Sequence, residues 1–362
     1  MFLHEDKNAF EYLLTNVSAA TGIDEGILEK DYYVTVFLKK LADKQKKGYR
    51  AYFKGGTALY KYLKKVGRFS EDIDLTVDTS GLNRTQQDKH LAAVTKKYDG
   101  FERLVGEGVT NRQTVLSVYS YNSLSDVFKF DSLDRFGKVK IEATSFTISE
   151  PVEDLVVTSL LFDHSLDSEK DLLRDKFNAG PFSVKAITLE RMFVDKLFAA
   201  EAYVRRFAHE DKGLEASKHL YDLTVMSSLP RIVDLLGDED SLEKMISIQM
   251  REEMNRLGGV PGLLPKNFEV FDRIQDDFRL HDAFRRTEDI YVLYDNDRFT
   301  VDTMLDTMRG LRKSLFLNSS WTKDVYDKYG HCKDDDSLEG TVDHSDVGNV
   351  NGSEIRKGPE IS

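Results

Sequence analysis

Cysteine is almost absent from this sequence, since Cys332 is the only one among 362 residues. One thiol can form neither a disulfide within the chain nor a thiolate metal cluster, so both are excluded within one chain. Long hydrophobic stretches are missing too, and no run approaches the roughly 18 apolar residues of a membrane-spanning helix. The first residues lack the basic and then apolar order of a signal peptide. We therefore expect a cytoplasmic protein with no membrane partner.

Positive charge is in deficit, with 51 Lys and Arg against 63 Asp and Glu and a formal net charge of −12. This balance argues against broad electrostatic binding of nucleic acid, although it is compatible with a local basic groove. A hydrophobic fraction of 40% and a charged fraction of 31% are ordinary for a soluble globular protein. The chain is long enough for two domains and a large core, and it contains no internal repeat.

A glycine pair, Gly55 and Gly56, follows a short apolar run that is typical of a strand. Because glycine has no Cβ, the backbone can turn there and bring its amide groups close to an anion. Thr57 is suited to the N-cap of a helix that Gly67 would end, since apolar residues recur at helical spacing between them. The pattern predicts a phosphate-binding turn at the start of a helix.

Asp72 and Asp74 lie in a stretch of alternating polar and apolar residues, 72–77, that is typical of a half-buried strand. Their carboxylates then face the same side, roughly 6–7 Å apart along the backbone. At an oxygen separation of ~5 Å and an effective dielectric constant of ~20, they repel each other by about 3 kcal/mol. A bridging Mg²⁺ would reverse that sign, so a metal site is one interpretation. The alternative for an isolated Asp-x-Asp pair is a solvated strand edge or a turn.

A second alternating stretch, 138–144, places Glu142 on the same strand face as Lys140. If this strand lies beside the one that carries Asp72 and Asp74, Glu142 completes a three-carboxylate cluster that can hold metal and accept a proton. The alternative is an exposed glutamate paired with a neighbouring lysine.

Apolar spacing predicts the other elements less specifically. It favours helices at 6–20 and 24–41, another helix from Thr188 onward, and a strand at 114–120. Asp131 and Asp134 are weaker candidate ligands, because they lie in a predicted turn.

Two of these stretches resemble the first motif of the nucleotidyltransferase AbiEii/AbiGii toxin family. They read Lys54-Gly55-Gly56-Thr57-Ala58-Leu59 and Arg68-Phe69-Ser70-Glu71-Asp72-Ile73-Asp74-Leu75. Members are minimal nucleotidyltransferases, distantly similar to polymerase β, and they serve as toxins of type IV toxin–antitoxin and phage abortive-infection systems. The wider superfamily usually has Gly-Ser at the glycine pair, so the resemblance implies that Thr57 supplies the hydroxyl.

A helical motif further along the chain carries the same resemblance. Asp195-Lys196-Leu197-Phe198-Ala199 with Arg205 is similar to a family motif whose lysine holds the triphosphate. Composition alone would favour a lysine that extends its stem along an apolar helix face. Glu29-Lys30-Asp31-Tyr32-Tyr33 also recurs at this place in the family, either as a solvated helix face or beside the nucleotide.

One more motif matches with a departure. Lys218-His219-Leu220-Tyr221-Asp222-Leu223 resembles Arg-Asp-Leu-Tyr-Asp-Leu in the family. Asp222 matches, and the resemblance implies that it orients the acceptor hydroxyl or the lysine. His219 stands where an acid is typical, and we predict a surface histidine there.

The resemblance implies an α/β fold in two lobes. An N-terminal nucleotidyltransferase lobe with a small mixed sheet is expected at 1–180, a helical lobe that closes the cleft at 181–329, and a disordered tail at 330–362. The activity implied is transfer of a nucleoside monophosphate from an NTP to an acceptor hydroxyl, with release of pyrophosphate. The implied metal is Mg²⁺, with Mn²⁺ as a substitute.

The implied site divides into acids and phosphate-binding groups. The catalytic residues are Asp72, Asp74, Glu142 and Asp222, of which the first three bind metal, and the nucleotide-binding residues are Gly55, Gly56, Thr57, Arg68, Ser70 and Lys196. The expected partners are an NTP, the 3′ end of tRNA or another RNA as acceptor, and an AbiEi-like antitoxin encoded beside the toxin.

Two other classes of function use similar residues. A metal-dependent nuclease or a glycosyltransferase also has paired carboxylates, but neither needs a glycine pair one helix upstream. A non-catalytic nucleotide-binding module would keep the fold and lose an acid, whereas all three acids are present here.

Overall fold

The computed structural model describes residues 1–64, 67–111, 113–125, 135–207, 212–256 and 265–317. The tail predicted at 330–362 lies outside these ranges, as do Asp131 and Asp134. The α-helices in the described ranges are α1 (Lys7–Thr21), α2 (Glu25–Lys46), α3 (Gly55–Leu63), α4 (Arg84–Thr95), α5 (Leu160–His164), α6 (Asp167–Asp175), α7 (Leu189–Phe207), α8 (Gly213–Met226), α9 (Pro230–Gly237), α10 (Glu239–Arg256), α11 (Val270–Asp276), α12 (Phe278–Tyr291) and α13 (Val301–Leu317). Among them, none is both long enough and apolar enough to cross a bilayer.

The strands of the described ranges form one mixed sheet of eight. They are β1 (Ala51–Lys54), β2 (Ile73–Val77), β3 (Glu102–Arg103), β4 (Val109–Thr110), β5 (Thr114–Ser120), β6 (Lys138–Thr144), β7 (Val152–Val157) and β8 (Phe182–Ile187). Their order is β3-β5-β6-β2-β1-β8-β7, and β4 also pairs with β5. The mixed α/β fold is confirmed. The sheet is larger than the small one we expected, and β8 lies beyond residue 180, where we predicted the first lobe to end.

The centre of the sheet is β1, β2 and β6, and its pairing positions the acidic residues. Strand β2 runs antiparallel to β1 and parallel to β6. Alternation along β2 buries Ile73 and Leu75 in the core and leaves Asp74 half-buried on the other face. The register sets Asp74 directly beside Glu142 of β6 on one side and Lys54 of β1 on the other.

Helix α2 carries buried charged residues that tie it to distant segments. Asp31 is fully buried and accepts hydrogen bonds from the Lys61 ammonium (2.7 Å) and the Leu160 amide (2.6 Å). Glu29 accepts one from the Leu124 amide (2.7 Å), and the Lys30 ammonium donates to a backbone carbonyl of β6. A buried charge needs such partners, because leaving it unpaired is unfavourable. The solvated helix face considered for this motif is therefore wrong.

The helices after β8 pack on one another and form a second layer, which contacts α3 through α7. Helix α7 begins at Leu189, next to the predicted start, and buries an apolar stripe that includes Leu197 and Val204. It packs against α8, which also contacts α12 and α13. Backbone contacts join this layer to the segment before β2, because the Phe69 amide donates to the Tyr291 carbonyl (2.7 Å). Residues of α7 and α8 are thereby held close to the segment between α3 and β2.

Candidate active site

Asp74 and Glu142 form an acid pair on adjacent strands. Since they are register partners in a parallel pair, their side chains leave the sheet on the same face. Burial and the carboxylates of Glu142 and Asp72 raise the pKa of Asp74 to about 7, against the opposing effect of Lys54 and Lys196. Burial also raises the pKa of Glu142, with Lys54 opposing and Asp72 adding to the shift. The site therefore concentrates negative charge that the protein neutralises only in part.

Asp72 stands just before β2 and supplies a third acid near this pair. Its Oδ1 is buried and receives no hydrogen bond from the described residues, and a buried carboxylate oxygen without a donor is suited to a cation. Among these same residues, however, no three His, Cys, Asp or Glu side chains converge as a preformed metal-binding group. The predicted three-ligand cluster is thus not formed as such. A pair of carboxylates still fits Mg²⁺, which usually completes its shell with substrate phosphates and water.

The glycine pair lies directly against the site side chains. Gly55 has a φ of +87°, and a Cβ added to it would come within 2.1 Å of Asp74 Oδ2. A Cβ on Gly56 would lie 2.7 Å from Arg68 Nη2 and 2.8 Å from Ser70 Oγ. A larger residue at either position would therefore have to displace these functional groups, and at Gly55 it would also have to adopt an unfavourable positive φ.

Helix α3 begins at Gly55, so the prediction that Thr57 caps its start is wrong. The helix also ends at Leu63, before Gly67. Residues Gly55 and Gly56 belong to its first turn, where the backbone N–H groups have no partner inside the helix. The preceding residue, Lys54, forms no side-chain cap either. The start of α3 therefore has backbone N–H groups that are suited to an anion, and it lies beside Asp74.

Thr57 has a different place from the one predicted. Its side chain is fully buried, and its hydroxyl donates to Ser70 Oγ (3.1 Å). Thr57 thus holds Ser70 in position, and the hydroxyl that lies against the glycine pair belongs to Ser70.

Asp222 binds two buried cations. It accepts hydrogen bonds from Arg68 Nε and Nη2, both at 2.8 Å, and its Oδ2 also contacts the Lys196 ammonium at 2.6 Å. Burial alone would raise the pKa of Asp222, but the charges of Arg68 and Lys196 hold it well below its usual range. Lys196 is only 5% exposed, so the interpretation as a lysine that reaches along the helix into water is wrong. We call these three residues the Asp222 triad.

The triad connects distant parts of the chain. Arg68 precedes β2, Lys196 lies on α7 and Asp222 on α8. Arg68 Nη2 is also the atom that lies against Gly56. Two cations are thereby placed at the uncapped start of α3, where the negative charge of a triphosphate would be neutralised.

His219 is half-buried between α7 and α8, whereas we predicted a histidine on the open surface. Its ring stacks on that of Tyr203, with centroids 5.4 Å apart and an interplanar angle of 17°. Its Nδ1 is buried and has no partner in the described part of the chain. Burial and the Lys196 charge keep the pKa of His219 well below its ordinary value, so the imidazole is neutral.

Sequence reasoning did not single out three residues that lie next to the groups described above, namely Lys54, Glu71 and Tyr203. Lys54 faces Asp74 across β1 and β2 and lowers the pKa of both Asp74 and Glu142. Burial and Asp72 raise the pKa of Glu71. Tyr203 carried no signal beyond its place two turns after Lys196. Lys54 could have been found from its position, because it directly precedes the glycine pair and ends a strand in which buried and half-buried residues alternate.

Comparison with models of protein families identifies one family. The family model described as nucleotidyl transferase AbiEii toxin, type IV toxin–antitoxin system, matches residues 36–288, more than half of the chain. No curated protein matches the sequence. A solved structure similar to this chain is MenT4, a nucleotidyltransferase toxin from Mycobacterium tuberculosis, with 16% identity and a TM-score of 0.46 over 82% of this chain and 98% of that one.

Proposed function

Since the chain belongs to the AbiEii family of nucleotidyl transferase toxins of type IV toxin–antitoxin systems, we propose that it transfers a nucleoside monophosphate from an NTP to an acceptor hydroxyl and releases pyrophosphate. One observation carries this proposal. The uncapped helix start at Gly55 touches Asp74, which lies beside Glu142. A phosphate-binding turn and an acid pair in direct contact are what an NTP with its metal ion requires.

The phosphate-binding residues act by charge and position. The N–H groups at Gly55 and Gly56 and the Ser70 hydroxyl would bind phosphate oxygens, and Thr57 keeps that hydroxyl in place. Arg68 and Lys196 would neutralise the charge that develops on the leaving pyrophosphate. The role of Asp222 is to hold both cations at the helix start.

The acids Asp72 and Asp74 would hold Mg²⁺, for which Mn²⁺ can substitute. Bound there, the metal would neutralise phosphate charge and polarise the phosphorus under attack. Glu142 is placed to contribute to metal binding or to accept the proton of the attacking hydroxyl, because burial raises its pKa toward the range useful for a general base.

The partners follow from the family. We propose that the acceptor is the 3′ end of tRNA or another RNA, that an AbiEi-like antitoxin encoded beside the toxin opposes it, and that both act in the cytoplasm. The negative net charge makes a local contact with RNA the expected one. We also propose the division into a nucleotidyltransferase lobe and a helical lobe that closes the cleft.

The test uses purified protein, Mg²⁺, total cellular RNA and each NTP in turn, labelled on the α- or the γ-phosphate. Nucleotidyl transfer puts the α-label on RNA and releases the γ-label as pyrophosphate. Removal of Mg²⁺ with a chelator, or the variant Asp74→Asn, should abolish the transfer. RNA that is shortened and not labelled would instead identify a nuclease, and label on protein would exclude RNA as the acceptor.

A second test addresses toxicity. Expression of the chain should arrest growth of a bacterial host, and the double variant with Asp72→Ala and Asp74→Ala should relieve the arrest. If the double variant accumulates to the same level and still arrests growth, the toxicity does not arise from nucleotidyl transfer.

A further inference from the structure

An aromatic pair accompanies the Asp222 triad along the contact between α7 and α8. Tyr203 follows Lys196 by seven positions on α7, so both lie on one face about 10 Å apart along the axis. His219 precedes Asp222 by three positions on α8, which also places them on one face. Lys196 contacts Asp222, and Tyr203 stacks on His219. The two helices thus present a charged contact and, next to it, an aromatic one.

The aromatic pair follows Lys196 along the same face of α7. Tyr203 is half-buried, and burial together with the charges of Glu215 and Glu142 raises its pKa. The charge of Glu142 on β6 thus acts on a phenol that belongs to α7. A ligand that contacts Lys196 through phosphates and extends along this face of α7 would pass the Tyr203 ring.

The length of a nucleotide fits this arrangement. Its base is joined to its phosphates through one ribose, and it needs an apolar planar surface some ångströms from the phosphate site. We propose that Tyr203, supported from behind by the stacked ring of His219, is the surface on which the base of the bound NTP stacks. This inference rests on the proposed function and deepens it by assigning the base subsite.

His219 is a positioning residue in this arrangement. A neutral imidazole can stack on Tyr203 without repelling Lys196 or competing with Asp222 for it. Because every base has a π-face, stacking alone tolerates different bases. We therefore expect only modest discrimination among the four NTPs at this surface.

The experiment separates the base from the phosphates. Equilibrium binding of ATP, GTP, CTP and UTP is compared with that of inorganic tripolyphosphate, all with Mg²⁺, for the parent protein, Tyr203→Ala and Tyr203→Phe. Tyr203→Ala should weaken binding of each NTP by about 5- to 150-fold and leave tripolyphosphate binding within about twofold. Tyr203→Phe keeps the ring and should bind all ligands as the parent does. Tyr12→Ala, which removes an exposed ring on α1, is the matched control and should change neither.

Each other outcome overturns the inference. Equal weakening of tripolyphosphate and NTP binding by Tyr203→Ala would indicate a structural role, and parent-like NTP binding would exclude stacking. Should Tyr203→Ala not fold, Tyr203→Leu, which keeps apolar volume without a ring, must show the same selective loss. A parent protein that binds neither NTP nor tripolyphosphate would refute the proposed function itself, whereas parent binding of both with no selective loss would refute only the base subsite.

Discussion

The Asp222 triad provides the sharpest prediction on stability, through the variant Asp222→Asn. The asparagine has almost the same shape as the aspartate, so the change removes a charge and leaves the packing intact. Arg68 and Lys196 are 8% and 5% exposed, and water cannot replace the missing carboxylate. Both cations would remain buried in the folded protein without their counterion.

The size of the stability loss in Asp222→Asn can be estimated from the contacts of Asp222. Arg68 Nη2 and Lys196 Nζ bind the same carboxylate oxygen at 2.8 and 2.6 Å, so these nitrogens lie at most about 5 Å apart. At that separation and an effective dielectric constant of ~20, the two cations repel each other by about 3 kcal/mol once the carboxylate no longer offsets their charge. Breaking a buried ion pair by removal of one partner typically lowers stability by about 3–5 kcal/mol. We therefore expect the melting temperature to fall by roughly 6–15 °C.

The assay is thermal unfolding at neutral pH, with Asp282→Asn as the matched control. Asp282 also contacts an arginine, at 2.7 Å from Arg285, but it is 70% exposed, and its loss should change stability by less than about 1 kcal/mol. Inorganic tripolyphosphate should raise the melting temperature of Asp222→Asn more than that of the parent, because the anion supplies the missing negative charge. A variant as stable as the Asp282→Asn control would refute the triad as a buried ion network.

The same network predicts a pH dependence. Because the folded state holds the pKa of Asp222 well below its usual range, the stabilisation is present above the unfolded-state pKa of about 4 and is lost as the pH falls further. The stability difference between parent and Asp222→Asn should therefore be constant near neutral pH and shrink below about pH 4. A difference that persists undiminished at pH 2 would contradict this assignment.

Three further predictions concern the rest of the site. Lys196→Met should lower the transfer rate by about 30- to 1,000-fold and the melting temperature by only a few degrees, since Asp222 keeps its arginine; parent-like transfer would exclude phosphate binding by Lys196. Since the folded protein raises the pKa of Asp74 to about 7, the metal-free protein should lose stability as the pH rises from about 4 to about 7, and Mg²⁺ should stabilise it more above pH 7 than below; a flat pH profile of the Mg²⁺-induced shift in melting temperature would contradict this. Gly55→Ala should destabilise more than Gly100→Ala, because both have a φ of +87° but only the first Cβ meets Asp74; equal melting temperatures would show that the contact with Asp74 is easily relieved.

Local patterns determined the elements of this fold. The strands predicted at 114–120 and 138–144 are β5 and β6 with those bounds, and the helix predicted after Thr188 begins at Leu189. Alternation and helical spacing depend on neighbouring residues only, so the sequence carries them directly. The family motifs could likewise be recognised in the sequence, because each is a short run of consecutive residues.

The sequence predicted the acids and glycines of the site by residue type, but tertiary structure determined what each one contacts. The register that sets Asp74 beside Glu142 depends on strand pairing between segments far apart in the chain. Arg68 meets Asp222 across 154 positions, which no local pattern encodes.

Burial decided the remaining differences between prediction and structure. His219 reads as a polar residue on a helix, and only the packing of α7 on α8 makes it a neutral ring stacked on Tyr203. The sequence predicts Thr57 as a helix N-cap, whereas in the folded protein its hydroxyl donates a hydrogen bond to Ser70. In both cases the sequence determined which groups are available, whereas the tertiary structure, by excluding water and bringing distant charges together, decided their protonation and their partners.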